Sequence, residues 1–399
     1  MTRSLALFAA ITVVLASRAS FAADAQQGGE AFAKTPIFEL PFMEIAVPEP
    51  PRVLHAGGKR SLCYEIYVTN MFTKPFTLDR IRVLAGNGAT LLDSSGKSLA
   101  TLIYRAGKRS PSDADASPIK GSERVVFFAW VDLPEGADVP KTIKHDIIFK
   151  PEHGEALTVR AAEVPVKSEV RVIAPPLRGE NWAAFAGPSN TTHHRRGILA
   201  FDGATYVGQR YAIDWVKIDR TTGEAFHGDV NDNANFYGYG QEVYAVADGV
   251  VSAVKDGIPE NKGANEKRAV PITIETVGGN HVILDIGGGC FAFYAHLQPG
   301  KIRVKTGDRV KTGDVLGALG NSGNASGPHL HFHLCDRNSP LASQGVPYAF
   351  EQLEIAGRVI HLKDSGEVDL KWLGAPEVHR GEMPAENEVV SFTTTKAGK

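Results

Sequence analysis

The chain has 399 residues, 43% of them hydrophobic and 22% charged, a globular composition for two or three domains that excludes a disordered, collagenous or polytopic membrane chain. Lys+Arg 43 against Asp+Glu 45 leaves a formal charge of -2, too balanced for a protein that binds nucleic acid by neutralising phosphates. Three cysteines, none in a CxxC pair, exclude a disulfide framework and a thiolate zinc site, so any metal chemistry falls to histidines and carboxylates.

Met1 to Ala23 opens with a basic residue, Arg3, runs apolar from Leu5 to Ala16 except for Thr12, and ends on the small residues Ser20, Ala22 and Ala23. This pattern predicts a secretory signal peptide over 1–23. Its apolar run falls short of the roughly 20 residues that span a bilayer, and no cysteine precedes Cys63 to carry a lipid. The mature protein is therefore expected to be exported, periplasmic or extracellular, with no membrane span.

From about Ile37 to Val172, short runs such as "CYEIYVTN", "RVVFFAWVDLP" and "TIKHDIIFK" are separated by Asn, Gly, Pro and Asp, which predicts an immunoglobulin-like β-sandwich over 24–172. Tyr64, Ile66 and Val68 alternate with Glu65, Tyr67 and Thr69, giving a core face and a mixed outer face. His55, His145 and His153 stand apart and suggest no site there. The stretch "IAPPLRGENWAAFAGPSN" breaks the alternation and reads as a linker over 173–190. A second β-rich domain follows over 191–348, with Thr221 to Asn235 and Asp256 to Ala269 as insertions over one rim. Residues 349–399 read as an extension packed on it. The fold class is all-β, with a sandwich followed by an antiparallel sheet domain.

The strongest chemical signal is "GNSGNASGPHLHFHL", which places His329, His331 and His333 on one face of a strand. His296 closes the apolar strand "CFAFYAHL", and Asp214 interrupts "QRYAIDWV", where a carboxylate is costly unless paired or metal-bound. Together they suggest one His/Asp site.

The order of "AIDW", "EVYAVADGVV", "GNHVIL", "GGCFAFYAHLQPG" and "VKTGDVLGALGNSGNASGPHLHFHL" resembles the M23 zinc metallopeptidases of the lysostaphin and LytM type, many of which are peptidoglycan endopeptidases. The likeness covers about Thr191 to Tyr348. It implies an antiparallel β-sheet fold, a Zn2+ cofactor and peptidoglycan peptides as substrate. Asp214 and His331 resemble the family's zinc-binding aspartate and histidine, and His296 and His329 match its two non-ligand histidines that activate water and stabilise the tetrahedral intermediate. That division suits a catalytic zinc with three protein ligands and an open position.

One position departs from the resemblance. The family's first histidine ligand falls on Arg210, which stays protonated and cannot ligate. The upstream pair His193 and His194 is the candidate replacement. A hairpin around Asp202-Gly203, with Phe201 opposite Ala204, puts His193 opposite Ala212 on the face of Asp214, whereas a one-residue bulge brings His194 there. Relatives with a similar "HRR...R(F/Y)AIDW" pattern favour His194, which is taken as the metal ligand with His193 as the alternative. His333, where many relatives carry Glu, is open between a partner of the ligands, an extra ligand and a bystander, and His281 is read as structural. If His296 lies opposite His329, Cys290 faces Cys335, a pair that an exported protein could oxidise. The rival to a zinc endopeptidase is a degenerate domain that binds wall peptides or activates another wall hydrolase, motivated by Arg210. An enzyme acting on a non-wall protein would share every residue with the first reading.

Overall fold

Lys59–Asn70, rich in aromatic and β-branched residues, forms a twelve-residue strand in the computed structural model, which describes residues 43–105, 117–265, 267–362 and 368–392. The signal peptide expected over 1–23 lies outside the described residues. This strand pairs antiparallel with Met43–Ala46, Arg52–Ala56 and Arg124–Asp132, and Ile103–Arg105 completes the sheet beyond the last. A second antiparallel sheet runs Thr90–Ser95, Phe76–Ala85, Thr142–Pro151, Leu157–Pro165. Tyr64, Ile66 and Val68 on one sheet, with Val125, Phe127 and Ala129, share a core with Ile81, Val83, Ile147 and Phe149 of the other. Period two along each strand thus builds a sandwich.

His145 belongs to that core. It is fully buried, its Nε2 lies 2.9 Å from the Tyr64 hydroxyl, and its Nδ1 has no partner. Burial pushes its pKa down to about 4. A lowered imidazole pKa means that the unfolded chain takes up the proton first, so stability is lost as pH falls from about 6.5 towards 4. Between pH 7 and pH 5, wild type should lose about 2 kcal/mol more than His145→Gln in urea titrations. Equal losses in the two proteins would refute the neutral buried imidazole.

The outer face of the same sandwich strand is not open to solvent. Every residue from Ser61 to Asn70 is buried, including Glu65, because the carboxy-terminal unit covers it. Leu54 and Cys63 of the sandwich pack into the second unit's core beside Trp215 and Tyr348.

The carboxy-terminal unit is built on one eleven-stranded sheet. Its order is Arg309–Val310, Gly249–Lys255, Asn280–Asp285, Phe291–Leu297, Leu330–Cys335, Ile213–Lys217, Gly179–Phe185, Glu388–Phe392, Leu353–Leu362, Val368–His379, with Gly345–Val346 paired to Leu330–Cys335. Two expectations are corrected here. The stretch 173–190 is not a bare linker, because Gly179–Phe185 lies inside the sheet, with Trp182, Ala183 and Ala184 fully buried. The extension 349–399 supplies three strands of the same sheet within its described part rather than an appendage on its surface. Trp215, Phe350 and Phe392 stack edge to face at 5.2–6.1 Å and lock these segments together.

Phe291 pairs with Cys335 and Ala295 with His331, one residue away from the register that would oppose Cys290 to Cys335. Both thiols are buried and free, so the expected disulfide is absent.

Candidate metal centre

Asp214 lies directly opposite His331 in the pairing of Ile213–Lys217 with Leu330–Cys335, and opposite Phe185 on its other side. Its neighbours Ile213 and Trp215 point into the core, so the period-two alternation aims Asp214 at the other face. On Leu330–Cys335 the same rule sends Leu330, Phe332 and Leu334 into the core and His331 towards Asp214.

Four imidazoles gather round this carboxylate. His331 Nδ1 is 2.9 Å from Asp214 Oδ1, His329 Nε2 is 3.5 Å from Oδ1, and His194 Nε2 is 3.5 Å from Oδ2. His193, His194 and Asp214 offer ligand atoms that all lie within 4.8 Å of one another. The His296 ring centroid is 4.7 Å from that of His329 and 5.9 Å from that of His331.

Each ring is set by a second contact on its far side. His194 Nδ1 lies 2.9 Å from the Ala186 carbonyl, His296 Nδ1 2.7 Å from the Ser322 carbonyl, and His329 Nδ1 2.9 Å from the Gly327 carbonyl. A carbonyl only accepts, so Nδ1 carries the proton and, in the neutral ring, Nε2 keeps its lone pair for the cleft. His331 is oriented differently, with Nε2 3.0 Å from His333 Nδ1. His333 is thus the partner of His331 and is buried behind it.

His296 needs a backbone device to join this group. Phe293 and Ala295 line the cleft while Tyr294 and Leu297 lie in the core, so strict alternation would bury His296 in the core as well. Its φ of 63° is left-handed, which turns the side chain onto the cleft face. Gly279, at φ 59°, abuts the Ser322 carbonyl that holds His296, and an added Cβ there would sit 2.4 Å from that oxygen. Only a glycine allows this approach.

Electrostatics match the crowding. Burial would push the Asp214 carboxyl up, but His194, His329 and His331 outweigh it and hold it well below the usual carboxylate range. Burial drives His296 well below the ordinary imidazole value and His331 down to about 4. For His329 burial acts the same way, yet the Asp214 carboxylate and the Gly327 carbonyl prevail and raise it.

The group opens into a cleft of 710 Å³. Leu199, Ile272 and Ile274 are exposed apolar residues on its lining, and Arg268 reaches into it. The two expected rim insertions are laced to the Gly-rich turn before His329: Asn321 donates to Asn233 Oδ1 and to the Gly263 carbonyl, both at 2.8 Å, and Asn261 donates to the carbonyls of Gly323 and Ala325. His281 sits at the cleft edge with Nδ1 2.8 Å from the Gly279 carbonyl.

The local fold around the histidine pair differs from expectation. His193–Arg196 is one helical turn capped by Thr192, not a strand, and the hairpin at Asp202-Gly203 extends only over Leu199–Phe201 and Ala204–Tyr206. His193 therefore has no partner opposite Ala212, and the turn brings both histidines to Asp214 together. Arg210 is directed away from the cleft. Its guanidinium donates to Glu65 Oε2 at 2.7 Å and Oε1 at 3.1 Å, and to Gln344 Oε1 at 3.0 Å. Arg195, on the histidine turn, donates to the same Glu65 Oε1. Burial would raise the Glu65 carboxyl, but Arg210 and Arg195 hold it down to about 2. Glu65 is the residue that sequence reasoning missed. Its signal was the cluster Arg195, Arg196 and Arg210 on a stretch that otherwise reads as folded β-structure.

Residues 234–343 match peptidase family M23. This stretch resembles an M23 peptidase domain. The matched stretch holds His296, His329 and His331, whereas Asp214, His193 and His194 lie before it. Among characterised proteins, the peptidoglycan DD-endopeptidase ShyA of Vibrio cholerae is 27% identical over 182 residues, 44% of this chain and 37% of its own length. The glycyl-glycine endopeptidase ALE-1 of Staphylococcus capitis is 43% identical over 56 residues, 14% of this chain and 15% of its own. The chain thus spans well under half the length of these relatives. Among solved structures, the catalytic domain of lysostaphin from Staphylococcus simulans is 22% identical, with 42% of this chain and 88% of that domain covered and a TM-score of 0.23. The sheet of the matched stretch is extended by strands from both of its flanks, and Asp214 stands on one of them.

Proposed function

We propose that this protein is an exported zinc endopeptidase that hydrolyses peptide bonds in peptidoglycan stems or cross-bridges. The observation that carries the reading is the convergence of His194, His329 and His331 on one part-buried carboxylate, each ring oriented by a partner on its other side. The M23 match and the relatives named as peptidoglycan endopeptidases support the substrate class. The leader over 1–23 supports export, and no helix among the described residues is long and apolar enough to cross a membrane.

The donor set fits zinc, with nitrogen and carboxylate ligands and an open side towards the cleft. His194 through Nε2, Asp214, and His331 through Nδ1 would hold the ion. Zinc when bound polarises the scissile carbonyl and makes a water acidic near neutral pH. His194 is the better ligand of the adjacent pair, because the Ala186 carbonyl fixes its tautomer. For His331 to ligate through Nδ1, Nε2 must keep its proton, and His333 Nδ1 accepts it. His329, held by the Gly327 carbonyl and facing Asp214, takes the proton of the attacking water at Nε2. His296, held by the Ser322 carbonyl through Nδ1, turns the Nε2 lone pair to the cleft and donates to the oxygen that gains charge once that nitrogen is protonated. The apolar side chains Leu199, Ile272 and Ile274 on the lining offer a bound peptide an apolar surface.

Arg210 was the motive for a non-catalytic reading; its engagement with Glu65 and the place of His193 and His194 beside Asp214 favour the catalytic one. The test is zinc content with hydrolysis of purified peptidoglycan. About one zinc per chain is expected in wild type and His193→Ala, with loss in His194→Ala. A wild type that takes up no zinc would overturn the reading, and loss in His193→Ala alone would transfer the ligand role to that residue.

A further inference from the structure

We infer that Glu65 of the amino-terminal sandwich is a positioning residue for the metal-ligating turn, so that the site is assembled across the junction of the two units. This rests on the zinc-peptidase reading above.

One carboxylate, 1% exposed, receives both Arg195 and Arg210. Arg195 follows His194 on the helical turn, and Arg210 lies four residues before Asp214. Glu65 therefore ties together the two chain segments that bring a histidine and the aspartate to one point. A four-residue turn has no stability of its own. Within its own unit its anchors are the Thr192 hydroxyl, the Ala186 carbonyl under His194 and the Asn190 carbonyl under Arg196.

The remaining anchors are on the sandwich. Arg195 Nη2 donates to the Tyr64 carbonyl at 2.8 Å and the Ala129 carbonyl at 3.3 Å, and Arg196 Nη2 to the Thr101 carbonyl at 3.1 Å. Both guanidiniums lie over the Phe128 ring, at 4.8 and 4.5 Å. Without the Glu65 charge, Arg195 and Arg210 would be two like charges buried side by side, with no counter-ion between them. The relief available is displacement of the turn, and metal ligands tolerate only about 0.5 Å. A chain of forces thus runs from a β-sandwich strand to the His194 ligand atom and, through Arg210, to the segment before Asp214, whereas His331 sits on a central sheet strand.

The experiment is zinc affinity of the full chain by competition with a chromophoric chelator, together with the visible spectrum of the cobalt-substituted protein. Glu65→Gln keeps the shape and removes the charge. It should weaken zinc binding about tenfold to a hundredfold and shift the cobalt bands, as loss of an orienting partner does. Tyr67→Phe removes the 3.0 Å bond from the Tyr67 hydroxyl to Thr205 Oγ1 across the same junction and controls for interface stability. It should leave affinity within about twofold. If Glu65→Gln does not fold, Arg195→Lys, which keeps charge and loses the fork, gives the same readout. Unchanged affinity and cobalt spectrum in the Glu65 or Arg195 variant would overturn the inference with the zinc reading intact. Equal weakening in Tyr67→Phe would do so too, by showing a general interface effect. A wild type without zinc would instead bring down the reading beneath it.

Discussion

Asp214→Asn should yield a folded protein that holds no stoichiometric zinc and has lost hydrolysis by three to four orders of magnitude, about 4 to 5.5 kcal/mol of transition-state stabilisation. The substitution keeps the shape, so the argument is purely one of charge. Among the described residues, Asp214 is the only carboxylate paired with His194, His329 and His331, and it is part-buried with the cleft as its open side. An amide can neither neutralise the ion nor hold a protonated His329. Folding should survive, because the flanking Ile213 and Trp215 keep the strand in place and a part-buried charge is removed rather than created. Elemental analysis beside circular dichroism checks both halves. Full zinc occupancy in the folded variant would remove Asp214 from the metal site.

His296→Gly should separate chemistry from metal binding. The zinc stays, since His296 Nδ1 is committed to Ser322 and its ring centroid lies 5.9 Å from that of His331. The rate constant kcat should fall by about 10² to 10⁴, the range for losing a positioned acid or base. At the same time the variant should melt higher than His296→Ala. A left-handed φ of 63° at a residue with a Cβ costs about 1 kcal/mol, which glycine relieves and alanine does not. His296→Ala is therefore the matched control, equally inactive without the gain. Loss of zinc in either variant would make His296 a ligand. Equal melting points in the glycine and alanine variants would show that the backbone is unstrained there.

Several of these features are visible in the chain before any folding. The alternation of His329, His331 and His333 put three rings on one strand face, and Asp214 among apolar neighbours marked a part-buried carboxylate. Both follow from period two, a local property. Four things escaped because they are not local. His296 breaks the alternation through one dihedral angle. His193 and His194 sit on a helical turn held by Arg195 and Arg196, whose partners lie on the sandwich. Glu65 reads as an outward residue until the second unit covers its strand. "GENWAAF" reads as part of a linker because its neighbours carry Pro and Gly, although its own residues are buried on both faces between two distant strands.

The place of the Asp214 strand also governs when the site comes into being. It is flanked by Leu330–Cys335 and Gly179–Phe185, and the latter is completed by Glu388–Phe392. His331 and Asp214 are 117 residues apart, and Gly58 meets Glu382 across 324. Loops of that length must close before any of these pairs contributes, which makes folding slow compared with a protein of local contacts. A chain delivered from its amino end holds the aspartate for a long interval before its partners arrive. On the zinc-peptidase reading, hydrolytic competence and completion of the fold then coincide, and a partly folded chain carries no half-built site with which to cut its neighbours.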